Sequence, residues 1–229
     1  MKKICLIPSR SGSKRVINKN IRNIFGTNLL EHAVKRAVHT NVFDEILVCT
    51  DSVEYARIAR NAGASIPGIR PTGLSSSKSP DIEWLKWLNE ISPLFQKCDI
   101  YTILRCTSPF LSSKRIANEV KLFQKSIDKY DSARGITECL EHPFKMWTLK
   151  GDYINPLFPF QNNENVDLHS SQKLALAKVY KQTGGIEIST KGSFDKYINI
   201  SGARIKGILL DGVECFDINT EDDWSVLLK

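Results

Sequence analysis

Short apolar runs alternate with amphipathic segments over the first two-thirds of the chain. The apolar runs predict buried parallel strands at the following positions: residues 4–8, 46–50, 65–69, 99–104 and 132–137. Apolar side chains at helical spacing predict the intervening helices: residues 28–38, 51–61, 81–95 and 113–129. Asn28 is a plausible N-cap of the first helix. This alternation predicts the α/β fold class, with a doubly wound, mostly parallel sheet.

The pattern changes after about residue 138. Residues 142–158 favour a hairpin or meander, and residues 159–178 are rich in Asn and irregular. Strands are expected again at residues 185–189 and 207–210, before a C-terminal helix at 221–228. We therefore expect a single domain over residues 1–229, with an inserted flap at 139–180.

Cysteine usage and hydropathy indicate the class of protein. The six cysteines include no C-x-x-C pair, and the four histidines show no ligand-like pairing with them, so a zinc site is disfavoured. No apolar run reaches the roughly 18–20 residues that span a bilayer, and the stretch before Pro8 is shorter than a signal peptide requires. These features predict a cytoplasmic protein with reduced thiols and no membrane partner.

The net charge of +7 is concentrated at one end of the chain. Residues 1–30 contain no acidic side chain and seven basic ones: Lys2, Lys3, Arg10, Lys14, Arg15, Lys19 and Arg22. The remaining 199 residues hold 25 basic and 25 acidic groups. A nucleic-acid-binding protein usually spreads its basic residues along a face or a tail, so nucleic acid is not an expected partner.

The loop that follows the first strand has the composition of an anion-binding loop. The small residues Ser11, Gly12 and Ser13 would let backbone N–H groups approach phosphate oxygens, while neighbouring cations supply charge. The loop is neither a Walker A sequence nor a G-x-G-x-x-G fingerprint. Its S-x-x-K spacing lacks the S-D-N and K-T-G partners of serine acyltransferases. A polyanionic ligand is therefore predicted, with a solvated basic loop as the alternative.

Five motifs in order resemble those of the CMP-sialic acid synthetase family, the cytidylyltransferases that activate sialic acids and related 3-deoxy sugar acids. They are IPSRSGSKRVINKN (7–20), CTDS (49–52), RPTGL (70–74), LRCTSPF (104–110) and FDINTEDDW (216–224). The resemblance covers nearly the whole chain. It implies a glycosyltransferase-A-like nucleotidyltransferase fold and transfer of CMP from CTP to a nonulosonic or related 3-deoxy-2-keto sugar acid, with release of pyrophosphate.

The resemblance also assigns roles on the nucleotide side. The triphosphate would be held by the following residues: Arg10, Lys14 and Lys19, with backbone donors from Ser11, Gly12 and Ser13. Arg10 and Lys14 would also stabilise the departing pyrophosphate as catalytic residues. Asn20 would contact the ribose, and Arg70, with backbone near Ser79, would read the cytosine edge. Asp51 is either a residue that orients the nucleotide pocket or an ordinary helix N-cap.

The implied cofactor is Mg²⁺, which prefers carboxylate and phosphate oxygens. The family resemblance gives the metal to Asp217 and to the residue at position 219, where the family has Asp and this chain has Asn219. An asparagine offers an oxygen without charge, so either metal affinity falls or Asp222 and Asp223 contribute through water.

The acceptor side departs more from the family pattern. The residues expected there are Arg105, Lys145, Gln172, Thr183 and Glu187. Arg105 replaces the family's glutamine and is suited to pairing with a sugar carboxylate. These changes imply an acid other than N-acetylneuraminate itself, with legionaminate-like acids as candidates. Family members are typically homodimers, which implies that the flap lies at a dimer interface.

Two alternatives remain open at this stage. The same fold is compatible with another acceptor, such as a different sugar acid or a phosphonate. Asn219 is also compatible with a non-catalytic relative that binds the nucleotide.

Overall fold

A computed structural model describes residues 1–24, 26–158 and 167–228. The chain divides into two compact units. The first contains Met1–Gly135 and Thr183–Lys229, and the second is the segment Ile136–Gln182. The second unit contains the predicted insertion at 139–180. The role of this insertion as a flap and dimer interface stays a prediction.

A six-stranded sheet has the strand order β10-β6-β9-β5-β1-β4. Its strands are β1 (Lys3–Pro8), β4 (Glu45–Cys49), β5 (Ile100–Leu104), β6 (Ser132–Glu138), β9 (Tyr180–Thr190) and β10 (Ile205–Leu209). Strand β1 is parallel to β4 and to β5, whereas β9 is antiparallel to β5. Two short strands, β2 (Asn23–Ile24) and β3 (Thr27–Asn28), form a separate antiparallel pair. The carboxyl ends of β1, β4 and β5 therefore meet at one edge, where ligands bind in open α/β sheets.

Helices cover both faces of this sheet. They are α1 (Leu29–Val38), α2 (Val53–Asn61), α3 (Asp81–Ile91), α4 (Pro93–Gln96), α5 (Ser113–Gln124), α6 (Lys191–Tyr197) and α7 (Glu221–Leu227). Successive residues of β1 point into different apolar clusters: Cys5 and Ile7 into one, Ile4 and Leu6 into the other. The predicted α/β class with a doubly wound sheet is confirmed.

Helix boundaries differ from the sequence expectation where capping residues intervene. The helix predicted at 81–95 is broken, because Ser92 is extended and its side chain caps the new helix α4 at the Phe95 N–H. Helix α2 begins at Val53 because Ser52 caps it. The strand expected at 65–69 is reduced to isolated bridges, and α5 ends at Gln124 instead of residue 129. Asn28 caps α1 as predicted, through the Glu31 N–H.

Every cysteine is a free thiol, as the spacing predicted. Burial raises the pKa of the Cys49 thiol to about 12 and that of Cys106 to about 11, so both behave as neutral core side chains. Within the described ranges, no helix is long and apolar enough to cross a bilayer.

The second unit contains the predicted hairpin. Its strands are β7 (Trp147–Lys150) and β8 (Tyr153–Pro156), joined by a two-residue turn in which Gly151 has φ of +60°. Such a turn needs left-handed backbone, which glycine adopts without a steric cost. Residues 159–166, part of the predicted irregular segment and flap, lie outside the described residues.

Candidate active site

A cavity of about 260 Å³ opens at the carboxyl ends of β1 and β5. It brings together several residues predicted on both sides of the site: Arg10, Ser13, Lys19, Asn20, Arg70, Ser79 and Arg105. Four of these are cations, and Asp81 is the one carboxylate among the described residues that line the cavity. Lys14 is exposed on the same loop but does not line it. The arrangement suits a ligand with several negative charges.

Asp51 holds the loop that follows β1. Its two carboxylate oxygens accept hydrogen bonds from the Ser11 backbone N–H (2.8 Å) and hydroxyl (3.2 Å). Since Ser52 is the cap of α2, the N-cap interpretation of Asp51 is wrong. The Ser13 N–H donates to the Ser11 carbonyl (2.9 Å). The N–H groups of both serines are thus already engaged, contrary to their expected role as phosphate donors.

Asn20 is buried beneath the same loop. Its amide nitrogen donates to the Ser9 hydroxyl at 3.0 Å and, more weakly, to the Arg10 carbonyl at 3.3 Å. Its buried carboxamide oxygen has no hydrogen-bond partner among the described residues. An unpaired buried acceptor is costly, so this oxygen is suited to a ligand hydroxyl, as the predicted ribose contact requires.

Arg70 also lines the cavity. Its backbone N–H donates to Thr50, and its side-chain Nε donates to the Ser75 hydroxyl at 2.9 Å. Burial lowers the pKa of this guanidinium, with Asp51 and Asp81 among the groups that oppose the shift. The Ser79 hydroxyl donates to the Gly73 carbonyl, which keeps the serine-rich loop folded at the cavity.

Lys19 connects the segment that follows β1 to the segment that carries Asp217. Its Nζ donates to the Ile218 carbonyl at 2.7 Å. Burial lowers the pKa of Lys19, and the nearby Asp217 carboxylate partly opposes this. The Oδ1 atom of Asp217 is buried without a hydrogen-bond partner among the described residues, so one carboxylate oxygen is available to a ligand or cation.

Asn219 is engaged elsewhere than the resemblance implied. Its Nδ2 donates to Asp217 Oδ2 (2.8 Å), and its Oδ1 accepts from Arg15 (3.1 Å). The Asn219 oxygen therefore faces an arginine, and its contact with a metal stays a prediction. Asp223 is also committed: its Oδ2 accepts from the N–H groups of Asn219 and Thr220, completing a capping box at α7.

The described residues fit a magnesium ion shared with a phosphate ligand better than an all-protein metal site. No group of three or more His, Cys, Asp or Glu side chains comes together in the described parts of the chain. Mg²⁺ is commonly bound through one or two carboxylates plus substrate phosphates. The unpartnered Asp217 Oδ1 would supply one such oxygen.

Arg105 lies between two carboxylates at the other end of the cavity. Its Nη2 is 2.6 Å from Asp81 Oδ2 and 2.7 Å from Glu187 Oε1. Glu187 is 3% exposed, and its second oxygen pairs with Arg134 at 3.0 Å. Burial alone would lower the pKa of Arg105, but the two carboxylates outweigh it and raise the pKa above its ordinary value. Arg105 is therefore a permanently charged but strongly compensated cation.

The beginning of β9 packs closely against this group. The Thr183 hydroxyl is buried without a hydrogen-bond partner among the described residues, and a Cβ at Gly135 would stand 2.5 Å from it. A Cβ at Gly184 would lie 3.4 Å from Arg105 Cδ and 3.7 Å from Asp217 Oδ2. Asp217 and Arg105 therefore flank the same glycine, and the two predicted halves of the site meet there.

A family model described as cytidylyltransferase matches residues 4–183. The chain belongs to the cytidylyltransferase family. It is 28% identical to an N-acylneuraminate cytidylyltransferase of Escherichia coli, over 98% of this chain and 51% of the relative. It thus spans about half the length of that relative. It is 27% identical to a CMP-N,N'-diacetyllegionaminic acid synthase of Legionella pneumophila, over 100% of this chain and 96% of the relative.

A solved structure has the same fold. CMP:2-keto-3-deoxy-manno-octonic acid synthetase, solved with CTP, superposes with a TM-score of 0.68 at 15% identity, covering 100% of this chain and 97% of that one. The family resemblance drawn from the five motifs is confirmed by the family match and the named relatives.

One buried residue of this cytidylyltransferase was not identified from the sequence. Arg36, 5% exposed on α1, donates from Nη1 to the Ser108 carbonyl and from Nη2 to the Arg105 carbonyl (3.4 Å). It therefore holds the segment that carries Arg105. A charged residue among the buried positions of an amphipathic helix is the signal that would have identified it.

The remaining acceptor residues belong to the second unit. Lys145 donates from Nζ to the His169 carbonyl at 3.1 Å, and Gln172 precedes a short 3₁₀ turn at Lys173–Ala175. Both are exposed or nearly so. Their contact with the acceptor acid stays a prediction.

Proposed function

We propose that this cytidylyltransferase transfers CMP from CTP to a nonulosonic acid or a related 3-deoxy-2-keto sugar acid. In this reaction a hydroxyl oxygen of the acid bonds to the α-phosphorus and releases its proton to solvent. The bond from the α-phosphorus to the oxygen of the β-phosphate breaks, and pyrophosphate leaves. The observation that carries the proposal is the cavity that Arg10, Lys19, Arg70 and Arg105 line together. The names of the relatives support the substrate class.

Different side chains bind the nucleotide and the acceptor. Arg10, Lys14 and Lys19 bind the triphosphate, and Arg10 and Lys14 stabilise the charge that develops on the leaving pyrophosphate. The free oxygen of Asn20 accepts from a ribose hydroxyl, and Arg70 contacts the base. Acceptor binding falls to a separate group in the first unit, Arg105 with Glu187 and Thr183. Lys145 and Gln172 belong to the second unit, and their part in acceptor binding rests on the family resemblance alone.

A divalent cation completes this proposal. Mg²⁺ held by Asp217 and the phosphates would neutralise charge on the α-phosphate and polarise the attacking hydroxyl. Asn219, in contact with Asp217 and Arg15, orients the carboxylate in place of a second acidic ligand.

We also propose a cytoplasmic homodimer. Free thiols are in keeping with a reducing compartment. The hairpin of the second unit exposes apolar side chains, with Leu149 74%, Tyr153 80% and Ile154 58% exposed. Exposed apolar clusters mark interaction surfaces, which supports the hairpin as the dimer contact.

Pyrophosphate release from CTP tests the function. The panel contains N-acetylneuraminate, N,N'-diacetyllegionaminate, 2-keto-3-deoxy-manno-octonate and a phosphonate, each with Mg²⁺ or with EDTA. We expect Mg²⁺-dependent release with at least one sugar acid. Release with the phosphonate alone would favour the second acceptor class. CTP binding without release from any acceptor would favour the non-catalytic alternative, which the engaged Asn219 motivates.

A further inference from the structure

Asp81 is a carboxylate in a cavity otherwise lined by cations and neutral groups. It begins helix α3, and its Oδ1 accepts a hydrogen bond from Trp84 Nε1 at 2.8 Å. Its Oδ2 lies 2.6 Å from Arg105 Nη2. The side chain is 33% exposed, so it is reached from the cavity. An acidic group at this place opposes the binding of any anion. The question is therefore what Asp81 contributes to a cavity that suits anionic ligands.

The second carboxylate on Arg105 is fixed far more firmly. Glu187 lies on β9 between β5 and β6, it is 3% exposed, and its two oxygens pair with different arginines, Arg105 and Arg134. Displacing it would leave Arg134 without its carboxylate partner and Arg105 with Asp81 alone, which costs several kcal/mol at a largely buried place. Asp81, by contrast, can rotate toward solvent at the cost of one partly exposed ion pair and of the hydrogen bond from Trp84.

The charges of this group determine what binds when Asp81 moves. The side chains of Arg105, Arg134, Glu187 and Asp81 sum to zero. Without the Asp81 carboxylate, the other three carry one positive charge, and the cavity side of the Arg105 guanidinium is free to donate. A single carboxylate matches both that charge and the fork of N–H donors.

We propose that Asp81 sets the affinity for the acceptor acid by competing with it: the acceptor carboxylate takes the place of the Asp81 carboxylate on Arg105. This inference rests on the proposed function. The competition gives selectivity, because a ligand must bring its own carboxylate to replace the one it displaces. A sugar of the same shape without a carboxylate gains no contact with Arg105.

The test is equilibrium binding by calorimetry, which needs no turnover. The probes are the three sugar acids of the panel and the methyl ester of each, titrated into the full chain with CMP present. The Asp81→Asn variant keeps the shape and the acceptor for Trp84 but removes the charge. We expect it to bind the preferred acid about five- to tenfold more tightly than wild type, the size of one partly exposed ion pair, and to bind the ester as wild type does.

Glu83→Gln is the matched control. Glu83 lies in the same first turn of α3, carries the same charge, and forms no salt bridge with the described residues. It should leave the affinity for the acid unchanged, which separates competition for Arg105 from a general loss of negative charge. Thermal unfolding and CTP binding establish that each variant is folded.

Three outcomes would overturn the inference. Unchanged or weaker acid binding by Asp81→Asn would mean that Asp81 only orients Arg105. An equal gain for the ester would mean that the carboxylate is not the competing group. Absence of acid binding by both proteins would remove the acceptor class with it. If acids bind more tightly to the variant but pyrophosphate is never released, the competition stands and the proposed reaction alone fails.

Discussion

The cations at the two ends of the cavity differ in whether they are paired with carboxylates. At the nucleotide end, Arg10, Lys14 and Lys19 form no salt bridge with the described residues, and Lys19 donates to a backbone carbonyl instead. At the acceptor end, Arg105 contacts two carboxylates. Both ends belong to the first unit and share the same sheet edge. The contrast is therefore in charge compensation and not in architecture.

This difference matches the two proposed substrates. A triphosphate carries several negative charges and is attracted by cations that lack protein counter-ions. A sugar acid carries one, and a nearly neutral group that exchanges one carboxylate for another is sufficient for it. Each variant or condition below is chosen to remove or to measure this contrast.

The largest effect is expected at Asp217, where the two ends meet. Asp217→Asn removes the charge of the carboxylate whose Oδ1 is unpartnered, and with it the proposed cation contact. We expect pyrophosphate release to fall about a hundredfold or more, with CTP binding retained. Asp128→Asn, at an exposed position after α5, is the control, because it removes the same charge outside the site. A loss of less than threefold at Asp217 would contradict its proposed role.

A large effect on stability is expected at the acceptor end. Glu187→Gln leaves Arg105 and Arg134 without their shared buried counter-ion, so the free energy of unfolding should fall by about 3 kcal/mol. Chemical denaturation measures this change. Glu90→Gln, at an exposed position of α3, removes the same charge and should have almost no effect. Equal stability of the two variants would show that the acceptor-end charges are not coupled.

The corresponding change at the nucleotide end should affect binding and spare stability. Lys14 is exposed and forms no salt bridge with the described residues, so Lys14→Ala should leave the free energy of unfolding unchanged. Loss of a charged contact to phosphate should weaken CTP binding at least tenfold. Calorimetric titration measures the CTP affinity of this variant. Lys86→Ala, on the exposed face of α3, is the control. Unaltered CTP affinity in the folded variant would remove Lys14 from the phosphate site.

The sequence predicted more of the nucleotide end than of the acceptor end. The nucleotide end comes largely from one local segment after β1, so its small residues and cations are recognisable from composition and motif. Arg105 was identified, but its partners Asp81 and Glu187 lie 24 and 82 residues away, Asp81 at the start of α3 and Glu187 on β9, and they meet Arg105 only in the folded chain. A contact that depends on β9 lying beside β5 has no local signature.

Errors in predicted elements and in single residues also have local physical causes. The prediction of one helix over 81–95 was wrong because of Pro93. A proline ring is favoured at a helix start and disfavoured inside a helix, and Pro93 begins α4. At position 219 the family has an aspartate and this chain an amide, which also donates, and its nitrogen donates to Asp217; its contact with a metal stays a prediction. Replacing a carboxylate by an amide changed the hydrogen-bond partners as well as the charge.

The smallest expected effect, and the most direct measure of the contrast, is the dependence of binding on salt. Raising the ionic strength from about 0.05 M to about 0.5 M shortens the screening length several-fold and weakens attraction between exposed charges. CTP meets several uncompensated cations, so its affinity should fall about tenfold. The acid exchanges one ion pair for another, so its affinity should change less than about threefold. Calorimetric titrations of both ligands across the same salt series measure the two slopes. Parallel slopes would show that the two ends are equally compensated. In Asp81→Asn the acid slope should steepen toward that of CTP, because the acceptor end then keeps a net positive charge.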